Sequence, residues 1–131
     1  MPRVLVVDDQ APLREVLSMA LETDGIEVVP AAGGEAALTE LCRATAEADG
    51  YDAMVLDICM PDIDGWQVLE AVKSNPLWKD MTVIVVSGYA NGAEEIARVC
   101  RYDGVYVEKN GSFLHVVRAT LNRLVHAAEA S

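Results

Sequence analysis

Five short apolar runs recur along the chain, and each is followed by a stretch with helical spacing. The runs occupy residues 4–7, 26–31, 53–57, 82–87 and 104–108. Each run has the length of a β-strand, and most of their residues are β-branched. Strands that alternate with helices form a parallel sheet with right-handed crossovers and helices on both faces. The sequence therefore predicts an α/β fold with a five-stranded parallel sheet, doubly wound as (βα)5.

The segments between the runs carry signals for helix starts and ends. Pro12 suits the first turn of the first helix, and Gly25 lies just beyond its end. Pro76 stops the third helix, and Asn91 with Glu94 predicts a capping box at the start of the fourth. The helices are predicted around residues 13–21, 34–48, 66–72, from 91 onwards and around 114–125.

Length and charge narrow the class of protein. A chain of 131 residues is of the usual size for one domain, so we expect a single domain over residues 1–131. Acidic residues outnumber basic ones 21 to 10, for a formal charge of -11. Because a nucleic-acid-binding surface needs clustered cations, the chain is not expected to bind DNA or RNA directly.

Cysteine usage and hydropathy bear on the cellular compartment. Cys42, Cys59 and Cys100 are far apart, odd in number and without metal-ligand spacing. They are typical of reduced thiols in a cytoplasmic protein. No apolar run approaches the roughly 18 residues of a membrane span, so no membrane association is expected.

Polar side chains follow four of the five predicted strands. The loops at the carboxyl edge of a parallel sheet converge on a crevice, which makes these side chains candidates for one site. They are Asp8 and Asp9 after the first strand, Asp57 at the end of the third, Ser87 at the end of the fourth, and Glu108 with Lys109 at the fifth.

The candidate site has the chemistry of phosphoryl transfer. Two carboxylates about 4 Å apart repel each other by roughly 4 kcal/mol at an effective dielectric of 20, unless a proton or a cation lies between them. Oxygen ligands with room for water and a phosphoryl group suit Mg²⁺, and a lysine provides a point charge for phosphate. A carboxylate in such surroundings can attack phosphorus to form an aspartyl phosphate.

Four motifs give the chain a specific resemblance: "VLVVDDQ", "MVLDICMPDIDGWQVL", "VIVVSGYA" and "VYVEKN". Together they resemble a CheY-like response-regulator receiver domain of two-component signalling, a flavodoxin-like fold, over nearly the whole chain. The D-x-x-M-P-x-x-D-G pattern from Asp57 to Gly65 is the most specific of these signals.

The resemblance implies a phosphoacceptor and a metal site. Asp57 would accept the phosphoryl group. Asp9 and Asp57 would bind Mg²⁺ directly, with Mn²⁺ as an alternative, and Asp8 would bind it through water. The backbone carbonyl of Cys59 would complete the protein ligands.

The resemblance also implies a switch. Lys109 would pair with Asp57 and then with the phosphoryl group, and Ser87 would move inward to donate a hydrogen bond to a phosphoryl oxygen. Tyr106 matches the family's aromatic switch position, although an ordinary role as a strand residue stays open. Phosphorylation adds nearly two negative charges and three hydrogen-bond acceptors. These would favour the conformation in which Ser87 has moved inward over the unphosphorylated one.

Partners follow from the same resemblance. A sensor histidine kinase or a histidine phosphotransfer protein would supply the phosphoryl group. A downstream protein would bind the last two helices and the last strand. The domain would not be an enzyme, except in phosphorylating and dephosphorylating itself at Asp57.

Two positions depart from the family pattern. Asn110 follows Lys109 where the family usually has a proline after a cis bond. A cis bond before a non-proline residue costs roughly 2.5–4 kcal/mol, so a trans Lys109–Asn110 bond and a changed loop are expected. Tyr89 is bulky at a position bordering the hydrolytic water's path in the family, which predicts slow self-dephosphorylation.

Three other functions compete with this interpretation. A haloacid-dehalogenase-like phosphatase also uses aspartate and Mg²⁺, but needs a second acid where Cys59 stands. A flavodoxin-like nucleotide binder would have a glycine-rich phosphate loop after the first strand, which is absent from the sequence. A phosphorylation-independent interaction module would have no use for the combination of acids, lysine and serine.

Overall fold

The five apolar runs form five strands, and a helix follows each of them. The computed structural model describes residues 2–58, 60, 64–88 and 93–130, with side chains as far as residue 124. The strands are Arg3–Val7 (β1), Glu27–Ala31 (β2), Ala53–Asp57 (β3), Thr82–Ser87 (β4) and Val105–Glu108 (β5). The helices are Ala11–Thr23 (α1), Gly34–Ala46 (α2), Gly65–Ser74 (α3), Ala93–Arg101 (α4) and Phe113–Ala130 (α5).

The strands form one parallel sheet in the order β2-β1-β3-β4-β5. Every neighbouring pair is parallel, and Val7 of β1 lies opposite Leu56 of β3. The predicted doubly wound α/β fold is therefore confirmed. The chain reverses its direction of growth across the sheet between β1 and β3, so a crevice opens between the carboxyl ends of these two strands.

Two apolar cores cover the two faces of the sheet. Leu5 and Val7 of β1 point into a core with α2, α3 and α4, whereas Val4 and Val6 point into a core with α1 and α5. All four side chains are at most 1% exposed. Burial on both faces explains why this strand is a continuous apolar run rather than an alternating one.

The ends of the helices follow local rules. Pro12 lies in the first turn of α1, and Gly25 after its end has φ +81°. That left-handed conformation favours glycine and lets the amide of Ile26 donate to the carbonyl of Leu21 at 3.1 Å. The predicted capping box at Asn91 lies outside the described residues. A capping box does occur at α3, where Asp64 and Gln67 bond each other's backbone amides.

A charged network holds the edge of the sheet opposite the crevice. Arg3 contacts Glu27 at 2.9 Å and Asp49 at 2.7 Å, and its guanidinium lies 4.6 Å from the centre of the Tyr51 ring. The Tyr51 hydroxyl donates to Glu40 at 2.7 Å. These contacts fix the connection between α2 and β3.

In the described part of the chain, no helix has the length and hydropathy to cross a membrane.

Candidate functional site

Three carboxylates meet in the crevice between β1 and β3. Asp8 and Asp9 directly follow β1, and Asp57 is the last residue of β3. One oxygen from each lies within 4.8 Å of the other two. Asp57 is 4% exposed and Asp8 is 8% exposed, whereas Asp9 is open to solvent. The structure thus brings together the three acids that the sequence singled out.

Lys109 partly compensates for the repulsion among these acids. Its ammonium lies 3.1 Å from Asp57 Oδ2 and 3.4 Å from Asp8 Oδ2. Burial alone would lower the pKa of Lys109, but the hydrogen bond and charge of Asp57, followed by those of Asp8, outweigh burial and raise it. The ammonium therefore stays charged through neutral pH. One cation against three acids leaves excess negative charge in the crevice.

The donor set fits a divalent cation. All three side chains offer carboxylate oxygen, which is the ligand of hard cations. Asp8 is already engaged, since its Oδ1 accepts from the amide of Gln10 at 2.8 Å and its Oδ2 faces Lys109. Asp9 is more accessible. Within the described residues, no other group of three or more histidines, cysteines or acids has the spacing of a metal site.

Ser87 lies beside the acids and is fully buried. It ends β4, next to Val86, which is the partner of Asp57 in the sheet register. Its hydroxyl donates to Oε2 of Glu95 in α4 at 2.8 Å, and its carbonyl accepts from the amide of Lys109 at 2.7 Å. The backbone thus joins the ends of β4 and β5 at the site.

Tyr106 lies in the middle of β5, and its ring is partly buried against the core beneath α2, α3 and α4. Its hydroxyl is buried and has no hydrogen-bond partner among the described residues. The ring therefore packs inward in this structure rather than lying on the surface. Its role as a switch stays a prediction.

The loop after β5 follows the expected departure from the family. No cis peptide bond occurs in the described residues, so the Lys109–Asn110 bond is trans, as predicted. The Asn110 side chain accepts from the amide of Ser112 at 2.8 Å, which shapes the turn into α5. Cys59 and Tyr89 lie outside the described residues, and the predictions about them stand as they were.

Gly65 is a residue whose role at the site appears only in the structure. A β-carbon added there would lie 2.2 Å from Cα of Ile58 and 2.7 Å from the carbonyl oxygen of Asp57. Only glycine lets α3 begin this close to the end of β3. Asp64 caps the same helix start, so the D-G pair in the most specific motif fixes the backbone around Asp57.

Arg14 and Glu95 also contact the site without having been singled out in the sequence. Arg14 of α1 donates to the backbone carbonyl of Asp8 at 2.7 Å and so holds the turn after β1. Glu95 of α4 accepts from Ser87. Neither residue lies at a strand end, which was the signal used to find the others.

Comparisons with known proteins agree with this geometry. A family model described as the response regulator receiver domain matches residues 4–112. The probable transcriptional regulatory protein TcrX of Mycobacterium tuberculosis is 35% identical over 124 residues, which cover 92% of this chain and 50% of that protein. The chain spans half or less of the length of several curated relatives it matches.

Solved structures match over nearly the whole chain. The response regulator TrrA of Thermotoga maritima, in complex with Mg²⁺-BeF, is 31% identical with a TM-score of 0.77. The match covers 95% of this chain and 99% of the TrrA chain. The chemotaxis protein CheY4 of Vibrio cholerae is 26% identical with a TM-score of 0.79 and covers 95% of this chain and 98% of its own.

Proposed function

The chain belongs to the response regulator receiver domain family, whose members act in two-component phosphorelays, and from this premise we propose that Asp57 is its phosphoacceptor. The observation that carries the proposal is the environment of Asp57. Its carboxylate is almost fully buried at the end of β3, faces the Lys109 ammonium at 3.1 Å, and shares the crevice with Asp8 and Asp9.

The reaction would be a phosphoryl transfer to a carboxylate. A carboxylate oxygen of Asp57 forms a bond to phosphorus, and the bond between phosphorus and a donor imidazole nitrogen breaks. The electron pair of that bond stays on the nitrogen, which takes up a proton from water. Lys109 balances the negative charge on the phosphoryl oxygens. The domain acts on itself in this way and turns over no other substrate.

A divalent cation, Mg²⁺ with Mn²⁺ as an alternative, would be held by Asp8, Asp9 and Asp57. The residues fit it, because three carboxylates lie within 4.8 Å of one another with one lysine to offset them. When bound, the cation lowers the repulsion between the acids and an incoming phosphoryl group. The accessibility of Asp9 supports a direct contact for it, whereas the two contacts of Asp8 support an indirect one.

Ser87 and Tyr106 would convert phosphorylation into a change of surface. Ser87 is the hydroxyl nearest in register to Asp57 on the neighbouring strand. A move of Ser87 toward a phosphoryl oxygen would shift the β4–α4 connection and change the space open to the Tyr106 ring. The surface of α4, β5 and α5 would then present a different face to a downstream protein.

We expect the phosphoryl donor to be a sensor histidine kinase or a histidine phosphotransfer protein. The chain carries a charge of -11, which supports protein partners rather than direct binding to nucleic acid. We also propose that the domain works in the cytoplasm, since Cys42 and Cys100 are free and exposed thiols. We further propose that residues 1–131 act as one receiver domain.

Phosphorylation by a small donor tests the proposal. The chain is incubated with acetyl phosphate, with and without Mg²⁺, and incorporation is measured by intact mass. We expect one phosphoryl group per chain, dependent on Mg²⁺ and absent in Asp57→Asn. Asp80→Asn changes an exposed acid outside the crevice and is expected to behave as wild type. Undiminished incorporation in Asp57→Asn would refute the assignment.

A further inference from the structure

Glu95 holds the buried hydroxyl of Ser87. Ser87 is 0% exposed, and its hydroxyl donates to Glu95 Oε2 at 2.8 Å. Glu95 lies in the first turn of α4 and is partly buried. We propose that Glu95 is a positioning residue that holds Ser87 and the start of α4 in the resting state, and that phosphorylation of Asp57 must displace it. The inference rests on the proposed function of Asp57.

A serine hydroxyl has a single proton to donate in a hydrogen bond. In the structure Ser87 gives that proton to a carboxylate, and such charge-assisted bonds are stronger than neutral ones. A phosphoryl oxygen on Asp57 needs the same proton. Val86, the residue before Ser87, is the sheet partner of Asp57, so Ser87 lies one residue away from Asp57 in the register, while its hydroxyl already bonds Glu95. Ser87 can serve only one of the two acceptors at a time.

Charge adds to this competition. A phosphoryl group brings nearly two negative charges to Asp57. The carboxylate of Glu95 is hydrogen-bonded to Ser87, the residue that follows the sheet partner of Asp57. The phosphoryl group and this carboxylate are both negative and therefore repel each other. Phosphorylation therefore draws the hydrogen bond of Ser87 away from Glu95 and also repels the Glu95 carboxylate. The start of α4 is freed as a direct result.

A second contact decides which part of α4 can move. Arg98 lies three residues after Glu95, on the same side of the helix. Its guanidinium lies 4.2 Å from the centre of the Trp66 ring on α3. Val99 of α4 is fully buried in the core. Loss of the Glu95 contact thus frees the first turn, while Arg98 and Val99 still hold the following turn.

Glu95 therefore sets how strongly the resting state is favoured before phosphorylation. A ligand shifts such an equilibrium only by its different affinity for the two states. Removing the Glu95 bond destabilises the resting state, so a phosphoryl mimic should bind more tightly. We expect the dissociation constant to fall about tenfold in Glu95→Ala, equivalent to about 1.4 kcal/mol. Glu95→Gln keeps an acceptor oxygen without the charge and should give a smaller gain.

The test uses beryllofluoride, which takes the place of a phosphoryl group on a carboxylate. Its binding to the full chain is measured by isothermal titration calorimetry at saturating Mg²⁺. Glu94→Ala is the matched control, because Glu94 is an exposed acid in the same helical turn. We expect Glu94→Ala to bind as wild type. The Mg²⁺ dissociation constant without beryllofluoride should be the same in Glu94→Ala and Glu95→Ala.

A double-mutant comparison separates the specific bond from general loosening of α4. Both variants are therefore also made in a Ser87→Ala background. If Glu95 acts through the Ser87 hydroxyl, Glu95→Ala in that background should change the affinity for beryllofluoride no more than Glu94→Ala does. A tenfold gain that persists without the hydroxyl would overturn the inference. So would equal affinities in Glu94→Ala and Glu95→Ala, or weaker binding in Glu95→Ala.

Two further measurements keep the outcome decisive. Should Glu95→Ala fail to fold in a thermal unfolding experiment, Glu95→Gln carries the test with the same control. Asp57→Asn separates this inference from the proposed function. Undiminished beryllofluoride binding in Asp57→Asn would refute the phosphoacceptor assignment, whereas lost binding there with no effect at Glu95 would refute only the role of Glu95.

Discussion

Asp9 should cost the cation-free domain stability, and its replacement by asparagine should restore it. Asp9 lies within 4.8 Å of both Asp8 and Asp57 through its nearest oxygens. The contacts of the Lys109 ammonium are to Asp8 and Asp57. Removing the charge of Asp9 therefore removes its repulsions with Asp8 and Asp57. It also removes its attraction to Lys109, which acts over a longer distance. Asparagine keeps the size of the side chain.

The magnitude follows from these distances. Two unit charges separated by 4.8 Å interact by about 0.9 kcal/mol in water and by about 3.5 kcal/mol at an effective dielectric of 20. Because Asp9 is exposed, the lower value applies to each of the two pairs. The lost attraction to Lys109 offsets part of the gain. We expect Asp9→Asn to raise the free energy of unfolding by about 1 kcal/mol, or the Tm by about 4 °C.

Mg²⁺ should reverse this order. Binding to the folded state stabilises a protein in proportion to the logarithm of ligand concentration over Kd. The wild type should gain more than Asp9→Asn, which has lost a ligand. Thermal unfolding followed by circular dichroism, in chelator and then in Mg²⁺, measures both effects. Glu22→Gln, an exposed acid on α1, controls for net charge and should stay within about 0.5 kcal/mol.

One result would refute this reasoning about the crevice. If Asp9→Asn unfolds at a lower temperature than wild type in chelator, the acids do not repel one another as the distances require. A Tm raised equally by Glu22→Gln would instead assign the effect to the overall charge of -11.

Two further predictions concern packing and titration. In urea denaturation, Gly65→Ala should lower the free energy of unfolding by about 1–3 kcal/mol, because the added β-carbon would lie 2.2 Å from Cα of Ile58. Gly50→Ala is the control, because a β-carbon there would meet open space. An equal loss of stability in Gly50→Ala would contradict this explanation. Burial, followed by the hydrogen bond to Glu40, raises the pKa of Tyr51 to about 12. The contribution of the protonated Tyr51 hydroxyl to stability should therefore be complete below about pH 10 and be lost between about pH 10 and 12. Ultraviolet absorbance titrations of wild type and Tyr51→Phe, taken as a difference, measure the pKa of this tyrosine. A midpoint near pH 10 would contradict the prediction.

The fold class could be predicted from local patterns alone. The central strands β1, β3 and β4 are apolar runs because they are buried on both faces, and each helix repeats its apolar residues at its own period. Even the ends of the first helix were correct, at Pro12 and Gly25. The capping box of Asp64 with Gln67 was not predicted, and the one predicted at Asn91 lies outside the described residues.

The acids and the lysine were found for a related reason. Parallel strands bring their carboxyl ends to one edge, so residues distant in sequence can be placed together by counting strands. Asp57 and Lys109 are 52 positions apart, yet their side chains are in contact. The family resemblance then supplied roles that spacing alone leaves open, and of the residues with those roles the structure brings Asp8, Asp9, Asp57 and Lys109 together.

Other contacts were decided only by the tertiary structure. The bonds of Glu95 to Ser87 and of Arg14 to Asp8 depend on how far a helix is turned and shifted over the sheet. The closeness of Gly65 to the end of β3 depends on where α3 begins. Periodicity places a residue on a face of its helix but says nothing about which strand end lies opposite. The sequence by itself determined the α/β fold and its acidic edge, whereas packing of the helices determined which of their side chains contact that edge.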